Sequence, residues 1–194
     1  MRETELLKIL RSTPKAFYTV ADLEKVTGLD RNSLYVSLNR WVNRGVLERA
    51  AKNIYLVANE PVKLDAIAGQ VYFPSYLSFE SALSRFGILN LVPYSLSFAT
   101  TRKTKSMTLL ERSVVYKHLN QSLFFGFNLE DGLYVAEPEK ALLDLVYFSS
   151  FGKGSLPTEE LDLKSLSKKT LNLYSRQFPP RVAETVGRLL RFLG

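Results

Sequence analysis

Asn32, Asn39 and Asn43 lie seven and four positions apart in DRNSLYVSLNRWVNRGVL, residues 30–47. In a helix that spacing gathers them on one face with Val36 and Arg40, opposite Leu34, Leu38 and Trp41 at i, i+4 and i+7. Amide side chains carry a donor and an acceptor side by side, the pattern that suits adenine N6 and N7, and guanidinium groups suit phosphate oxygens. A helix with such a face is equipped to read base edges or to grip a nucleic-acid backbone. The same polarity also fits a solvated amphipathic helix in a small bundle, so the surrounding elements must decide between the two.

Other chemistry is thinly supplied. The chain has no cysteine and a single histidine, His118, which leaves no thiolate ligands and almost no imidazole from which to build a zinc site. Glu137, Glu139 and Asp144 come close together in sequence. Carboxylates in a first helical turn are what the helix dipole favours, however, and residues five apart do not share a face. No phosphate loop, nucleophile elbow or histidine metal motif accompanies them, so neither an enzyme nor a cofactor is expected. His118 alternates with Tyr116 as in a strand and reads as structural. The run Arg102-Lys103-Thr104-Lys105 reads either as a solvated loop or as a polyanion contact through Arg102, Lys103 and Lys105.

Three helices and a hairpin are expected to position the asparagine face. Leu6, Leu7 and Leu10 recur at helical spacing until the break from Ser12 to Lys15 with Pro14. Thr19 can cap a second helix with Asp22 in its first turn and Leu23 and Val26 inward, ending at Gly28. Asp30 can cap the third. Two helices joined by a short glycine turn form a helix-turn-helix, whose second helix enters the major groove N-terminus first, led here by Arg31, Asn32, Ser33 and Tyr35 and followed by Asn39, Arg40 and Asn43. After Gly45, residues 46–49 and 54–57 read as strands around a turn from Ala50 to Asn53. This wing would bring Arg49 and Lys52 to phosphates.

Charge distribution agrees with a basic reader of polyanions. The net charge is +7, divided as +3 over residues 1–60 (ten Lys/Arg against seven Asp/Glu), −2 over 61–163 (nine against eleven) and +6 over 164–194 (seven against one). The start carries charges at Arg2, Glu3, Glu5 and Lys8 in place of a signal peptide's apolar region, and no run of about 18 apolar residues occurs. A cytoplasmic protein without a membrane span is expected.

A turn-prone Ala58-Asn59-Glu60-Pro61 marks an expected boundary between residues 1–60 and 61–194. In the second part Ser78 can cap a helix bearing Phe79, Ala82, Leu83 and Phe86. Residues 96–100, 114–119, 123–127 and 133–135 read as strands of one antiparallel sheet. Pro138 begins an apolar helix with Ala141, Leu142, Leu145, Val146 and Phe148. Segments 158–166, 168–178 and 180–193 read as helices. The expected fold is therefore α+β: an N-terminal winged helix-turn-helix, then a mixed α/β domain with an antiparallel sheet and C-terminal helices.

The order of pieces, with YLSFESALSRFGIL, SLSFATT, YKHL, FFGF and VAEPEKALLDLVYF after the first sixty residues, resembles the AbiEi-like antitoxin and transcriptional regulator family of bacterial type IV toxin-antitoxin systems. The resemblance spans roughly residues 5–150. It implies an N-terminal domain that represses its own operon by binding double-stranded operator DNA through Arg31 to Arg44. It also implies a C-terminal domain that counteracts a nucleotidyltransferase toxin, with Arg102 to Lys105 as a candidate toxin or DNA contact. The alternative reading is a plain winged-helix repressor whose C-terminal domain dimerises or senses a ligand.

Overall fold

In a computed structural model describing residues 1–192, the chain is mixed α+β, with eight α-helices and two sheets among those residues. It forms two compact units, one of Met1–Ile67 with Thr108–Glu111 and one of Ala68–Met107 with the residues from Arg112 onward.

The first unit comprises α1 (Glu3–Ser12), β1 (Tyr18–Thr19), α2 (Val20–Thr27), α3 (Arg31–Asn43), β2 (Leu47–Ala51) and β3 (Ile54–Val57). Local sequence sets the helix ends. Thr19 and Asp22 form a reciprocal capping box on α2, Gly28 closes it at φ 67, and the Asp30 carboxylate accepts from the Asn32 and Ser33 amides at the start of α3. Leu6, Leu10, Leu23, Leu34, Leu38, Trp41 and Leu47 make one core. Each such side chain contributes roughly 1.5–3 kcal/mol by leaving water.

The three strands pair antiparallel in the order β1-β3-β2. Strand β1 has no periodic signal at two residues, and it is fixed from outside: the buried Tyr18 pairs with Tyr55, and its hydroxyl donates to the Leu10 carbonyl at 2.7 Å. The hairpin turn is tighter than the expected span from Ala50 to Asn53. Ala50 and Ala51 continue β2 through a bulge, Ala50 buries its methyl group, and the turn is Lys52-Asn53 with Asn53 at φ 64, a conformation asparagine tolerates.

After the turn-prone residues 58–61 comes α4 (Leu64–Val71), within which the two units part. Then follow β4 (Ser75–Leu77), α5 (Phe79–Arg85), β5 (Leu96–Thr100), β6 (Lys105–Leu109), β7 (Arg112–His118), β8 (Phe127–Glu130), β9 (Leu133–Ala136), α6 (Pro138–Ser150), α7 (Lys168–Ser175) and α8 (Pro180–Phe192). The sheet order is β6-β7-β5-β4-β9-β8.

This sheet is mixed, not the antiparallel one expected. Strand β5 pairs parallel with β7 from Leu96↔Val114 to Thr100↔His118, and β4 pairs parallel with β9 at Leu77↔Val135. Strand β6 intervenes in sequence but takes the edge, so β7 returns in the direction of β5. Alternation of side chains is the same in both pairings and cannot distinguish them.

Three expected elements differ. Residues 123–127 are not a strand: a 3-10 turn covers Gln121–Leu123, and β8 waits for Phe127 because Gly126 turns the chain at φ 68. Residues 158–166 hold one 3-10 turn, Thr158–Glu160, after which Leu161 bridges Leu89 in extended form and Leu163 is buried two residues on. Phe86 lies beyond α5 and is 36% exposed. Leu193, the last residue of the expected C-terminal helix, lies outside the described residues.

Candidate functional site

Helix α3 presents the asparagine face to solvent. Asn32, Asn39, Asn43, Arg31, Ser33 and Arg40 are exposed, Val36 is 71% exposed and Tyr35 37%, while Leu34, Leu38 and Trp41 on the opposite side are sealed at 0–1%. Arg31 stays charged, its pKa raised first by hydrogen bonding to Tyr35 and then by Glu24, whose carboxylate is 4.0 Å away. The Ser33 side chain and amide hold the Asp30 carboxyl below its ordinary range. Arg49 on β2 and Lys52 in the hairpin turn are exposed as well. The fold thus brings Arg31, Asn32, Ser33, Tyr35, Asn39, Arg40 and Asn43 onto one helix and Arg49 and Lys52 onto one hairpin. Trp41 is core, and its Nε1 has no partner among the described residues.

In the second unit the run from Arg102 to Lys105 is ordered and not a free loop. Arg102 stacks its guanidinium on the Tyr72 ring at 4.1 Å and donates to the Phe73 carbonyl at 3.2 Å, and Lys105 Nζ lies 4.8 Å from the same ring. The Tyr72 hydroxyl donates to the Lys103 carbonyl at 3.0 Å, and His118 Nδ1 lies 2.9 Å from the Arg102 carbonyl. Arg102, Lys103 and Lys105 all remain exposed beside Phe73, itself 58% exposed. The result is a cationic patch with an aromatic floor.

A group that the sequence did not announce lies inside the same unit. Lys140 and Asp144, one turn apart on α6, form an ion pair with both side chains at 0% exposure. The Asp144 carboxylate also accepts from the Tyr76 hydroxyl at 2.9 Å and the Ser78 hydroxyl at 2.8 Å, and Lys140 Nζ donates to the Tyr76 oxygen at 2.8 Å. Rings of Phe125, Phe178 and Tyr76 stand 5.0–5.3 Å from the ammonium. Burial pushes Asp144 up and Lys140 down, each against the pull of the other charge.

Ser78 therefore does not cap α5 with its side chain as expected, because its hydroxyl is committed to Asp144. The next residue, Phe79, is held at φ 55, a conformation that costs a non-glycine residue roughly 1–3 kcal/mol and persists only under tight packing. Gly126 closes over the pair: a Cβ there would lie 3.1 Å from Lys140 Cγ. Glu137 and Glu139 accept separate bonds, Glu137 from the Tyr174 hydroxyl at 2.6 Å and Glu139 from the Ser167 amide at 2.7 Å. The three carboxylates do not converge, and no group of three or more potential metal ligands occurs among the described residues.

An open groove of ≈ 240 Å³ runs beside β5 and β7. Glu80 and Lys117, 3.4 Å apart, share it with Leu91 and Tyr94, and neighbouring Val92 is 86% exposed. No helix of the described residues is long and apolar enough to cross a membrane. The chain matches no protein-family model, and no curated protein matches its sequence.

Proposed function

We propose that the chain is a DNA-binding transcriptional autorepressor and antitoxin of a bacterial type IV toxin-antitoxin system, acting against a nucleotidyltransferase toxin. In this reading the first unit is a winged helix-turn-helix, α2 and α3 being its two helices and β2 and β3 its wing. One observation carries the DNA-binding half: an amide-rich stripe of Asn32, Asn39 and Asn43, flanked by Arg31 and Arg40, exposed on a helix whose other side is sealed core. Arg31, Asn32, Ser33, Tyr35, Asn39 and Asn43 meet base edges, and Arg40, Arg49 and Lys52 meet phosphates. Double-stranded operator DNA is the partner, and the site of action is the cytoplasm.

The antitoxin half rests on the similarity of the segments around YLSFESALSRFGIL and VAEPEKALLDLVYF to the AbiEi-like family. The exposed Arg102, Lys103 and Lys105 support it as a contact surface. A nucleotidyltransferase toxin expressed with the full chain, or with its Arg31→Ala variant, tests the assignment. Equal growth protection by both, with DNA retention lost in the variant, supports two separate jobs. Protection that vanishes with DNA binding favours a plain repressor. The groove with Glu80, Lys117, Leu91 and Tyr94 favours that second reading, since an apolar cleft with one ion pair suits a small ligand or a second copy.

A further inference from the structure

Arg40 on α3 and Arg44, four residues on at its C-cap, line a cleft of ≈ 390 Å³ with Met1, Arg2, Glu3 and Thr4. Its charged side chains are three arginines and one glutamate. Arg44 Nη1 reaches Glu3 Oε1 at 2.5 Å, whereas Arg2 and Arg40 have no carboxylate partner among the described residues. With like charges gathered and two of them unmatched, the cleft favours a multiply charged anion. Planar guanidinium forks match phosphate oxygens in pairs, which selects phosphate over a simple halide.

Helical geometry indicates where such a phosphate comes from. At about 100° per residue, Asn39, Asn32, Asn43 and Val36 span roughly 60° of α3, and Arg40 and Arg44 lie a further 40–80° to one side. A helix seated in a groove has sugar-phosphate strands along its flanks, so the flank of Arg40 and Arg44 would lie against one of them. We infer that Arg2, Arg40 and Arg44 form a phosphate site filled by a backbone phosphate of the strand bordering the groove that α3 enters. This inference rests on the DNA-binding reading of α3; it adds Arg2 to the residues that reading names and gives Arg44, at the end of the expected recognition helix, a specific phosphate to hold.

Glu3 sets the resting state of the site. Its pair with Arg44 is open to solvent, with Arg44 61% exposed and Glu3 partly so at 34%, so it is weak enough for a phosphate to displace. Once displaced, the carboxylate faces the incoming phosphate and opposes it. Removing the basic groups and removing Glu3 must therefore act in opposite directions.

The test uses the full chain, a random-sequence duplex of about 30 base pairs across a salt series, and inorganic pyrophosphate as a free-phosphate arm, with thermal unfolding as the check on folding. Arg2→Ala and Arg44→Ala should each weaken duplex binding roughly threefold to tenfold. Because one phosphate is shared, the double variant should make the slope of log affinity against log salt shallower by only about 0.9 in total. Glu3→Gln should tighten binding, and Glu5→Gln, which does not line the cleft, should not match it. Duplex affinity unchanged in Arg2→Ala and Arg44→Ala while Lys52→Ala, at a phosphate contact of the proposed wing, weakens it overturns the site and leaves the DNA reading standing. Pyrophosphate binding that needs Arg2 and Arg44 in a chain that binds no duplex keeps the phosphate site but overturns its DNA source. No binding of either probe overturns both.

Discussion

Replacing Lys140 by Met and Asp144 by Leu, singly and together, measures what the buried pair does for the second unit. Both side chains are at 0% exposure, so neither charge can recover its hydration when the partner is removed. Lys140→Met leaves Asp144 with the Tyr76 and Ser78 hydroxyls, two donors where there were three. The loss should fall near the lower end of the 3–5 kcal/mol typical of a broken buried pair, about 3 kcal/mol. Asp144→Leu strands an ammonium with one oxygen acceptor, Tyr76, among aromatic faces, and should cost about 4–5 kcal/mol. In the double variant no buried charge remains, and only the Tyr76 and Ser78 hydroxyls lose partners, at roughly 1–3 kcal/mol each. The two losses should then fall short of additivity by about 3 kcal/mol in a urea-unfolding cycle. The Lys140→Met loss should also depend on pH. Burial already holds the Asp144 carboxyl above its ordinary value, and without Lys140 it rises further. A carboxyl with a raised native pKa penalises folding above that pKa, and the penalty fades as pH falls through it, so the variant should lose less at pH 5 than at pH 8. Additive losses that are the same at both pH values would refute the buried-charge account.

Three further outcomes are expected. Arg31→Ala and Asn32→Ala should each weaken operator binding by roughly 1–3 kcal/mol where a base is read, with the unfolding midpoint unchanged; a gel-shift titration beside a thermal melt checks both. In the Asp22 carboxyl, hydrogen bonds from Lys15 and Thr19 overcome an opposing burial effect and lower its pKa from 3.8 to about 2. A depressed native pKa contributes stability above the unfolded value that is lost as pH falls from 3.8 through about 2. With Lys15 half exposed, Asp22→Asn should cost only about 1 kcal/mol at pH 7, and acid titration of both proteins should bring them together near pH 2. Gly126→Ala should destabilise by roughly 1–3 kcal/mol in urea unfolding, since φ 68 is strained for alanine and its methyl group would press on Lys140 and Tyr174 at 3.1–3.3 Å.

The first unit was legible where each signal was local. Thr19 with Asp22, Gly28 and Asp30 mark helix ends by bonds they make within a few residues, and Leu34, Leu38 and Trp41 mark a face by spacing alone. Strand β1 was hidden because its pairing partner, β3, lies more than thirty residues away. The mixed sheet was hidden for a related reason: the strand β7 beside β5 was identified, but parallel and antiparallel partners ask for the same alternation. Residues 158–166 read as helical from composition. Yet Leu161 and Leu163 are buried two apart with Asp162 exposed between them, which is the period of extended chain.

The Lys140–Asp144 pair did have a signal, since lysine and aspartate at i and i+4 in an otherwise apolar ALLDL stretch face the same way. Its weakness was that such pairs usually mark solvent. What reverses that meaning is Tyr76 and Ser78, which arrive from β4 and from the start of α5 and supply hydroxyls that neither helix-period nor strand-period reading connects to α6. Ser78 shows the same competition from the other side: its type and position predict a cap, but a buried carboxylate is the stronger acceptor and draws the hydroxyl away. The consequence bears on function. All four groups are sealed, and Phe79 and Gly126 hold strained or left-handed turns around them, so the most elaborate polar chemistry in the second unit fixes β4, α5 and α6 to one another. Any partner of this unit must then be recognised by its exposed chemistry, which includes the tyrosine-backed Arg102, Lys103 and Lys105. Reversing Lys103 and Lys105 to Glu, both exposed and apart from the sealed pair, should shift unfolding little, by about 0.5–1 kcal/mol at most, the worth of an exposed cation–π contact. In the antitoxin reading it should abolish protection in a co-expression growth assay, and full protection by that variant would remove the patch from the partner surface.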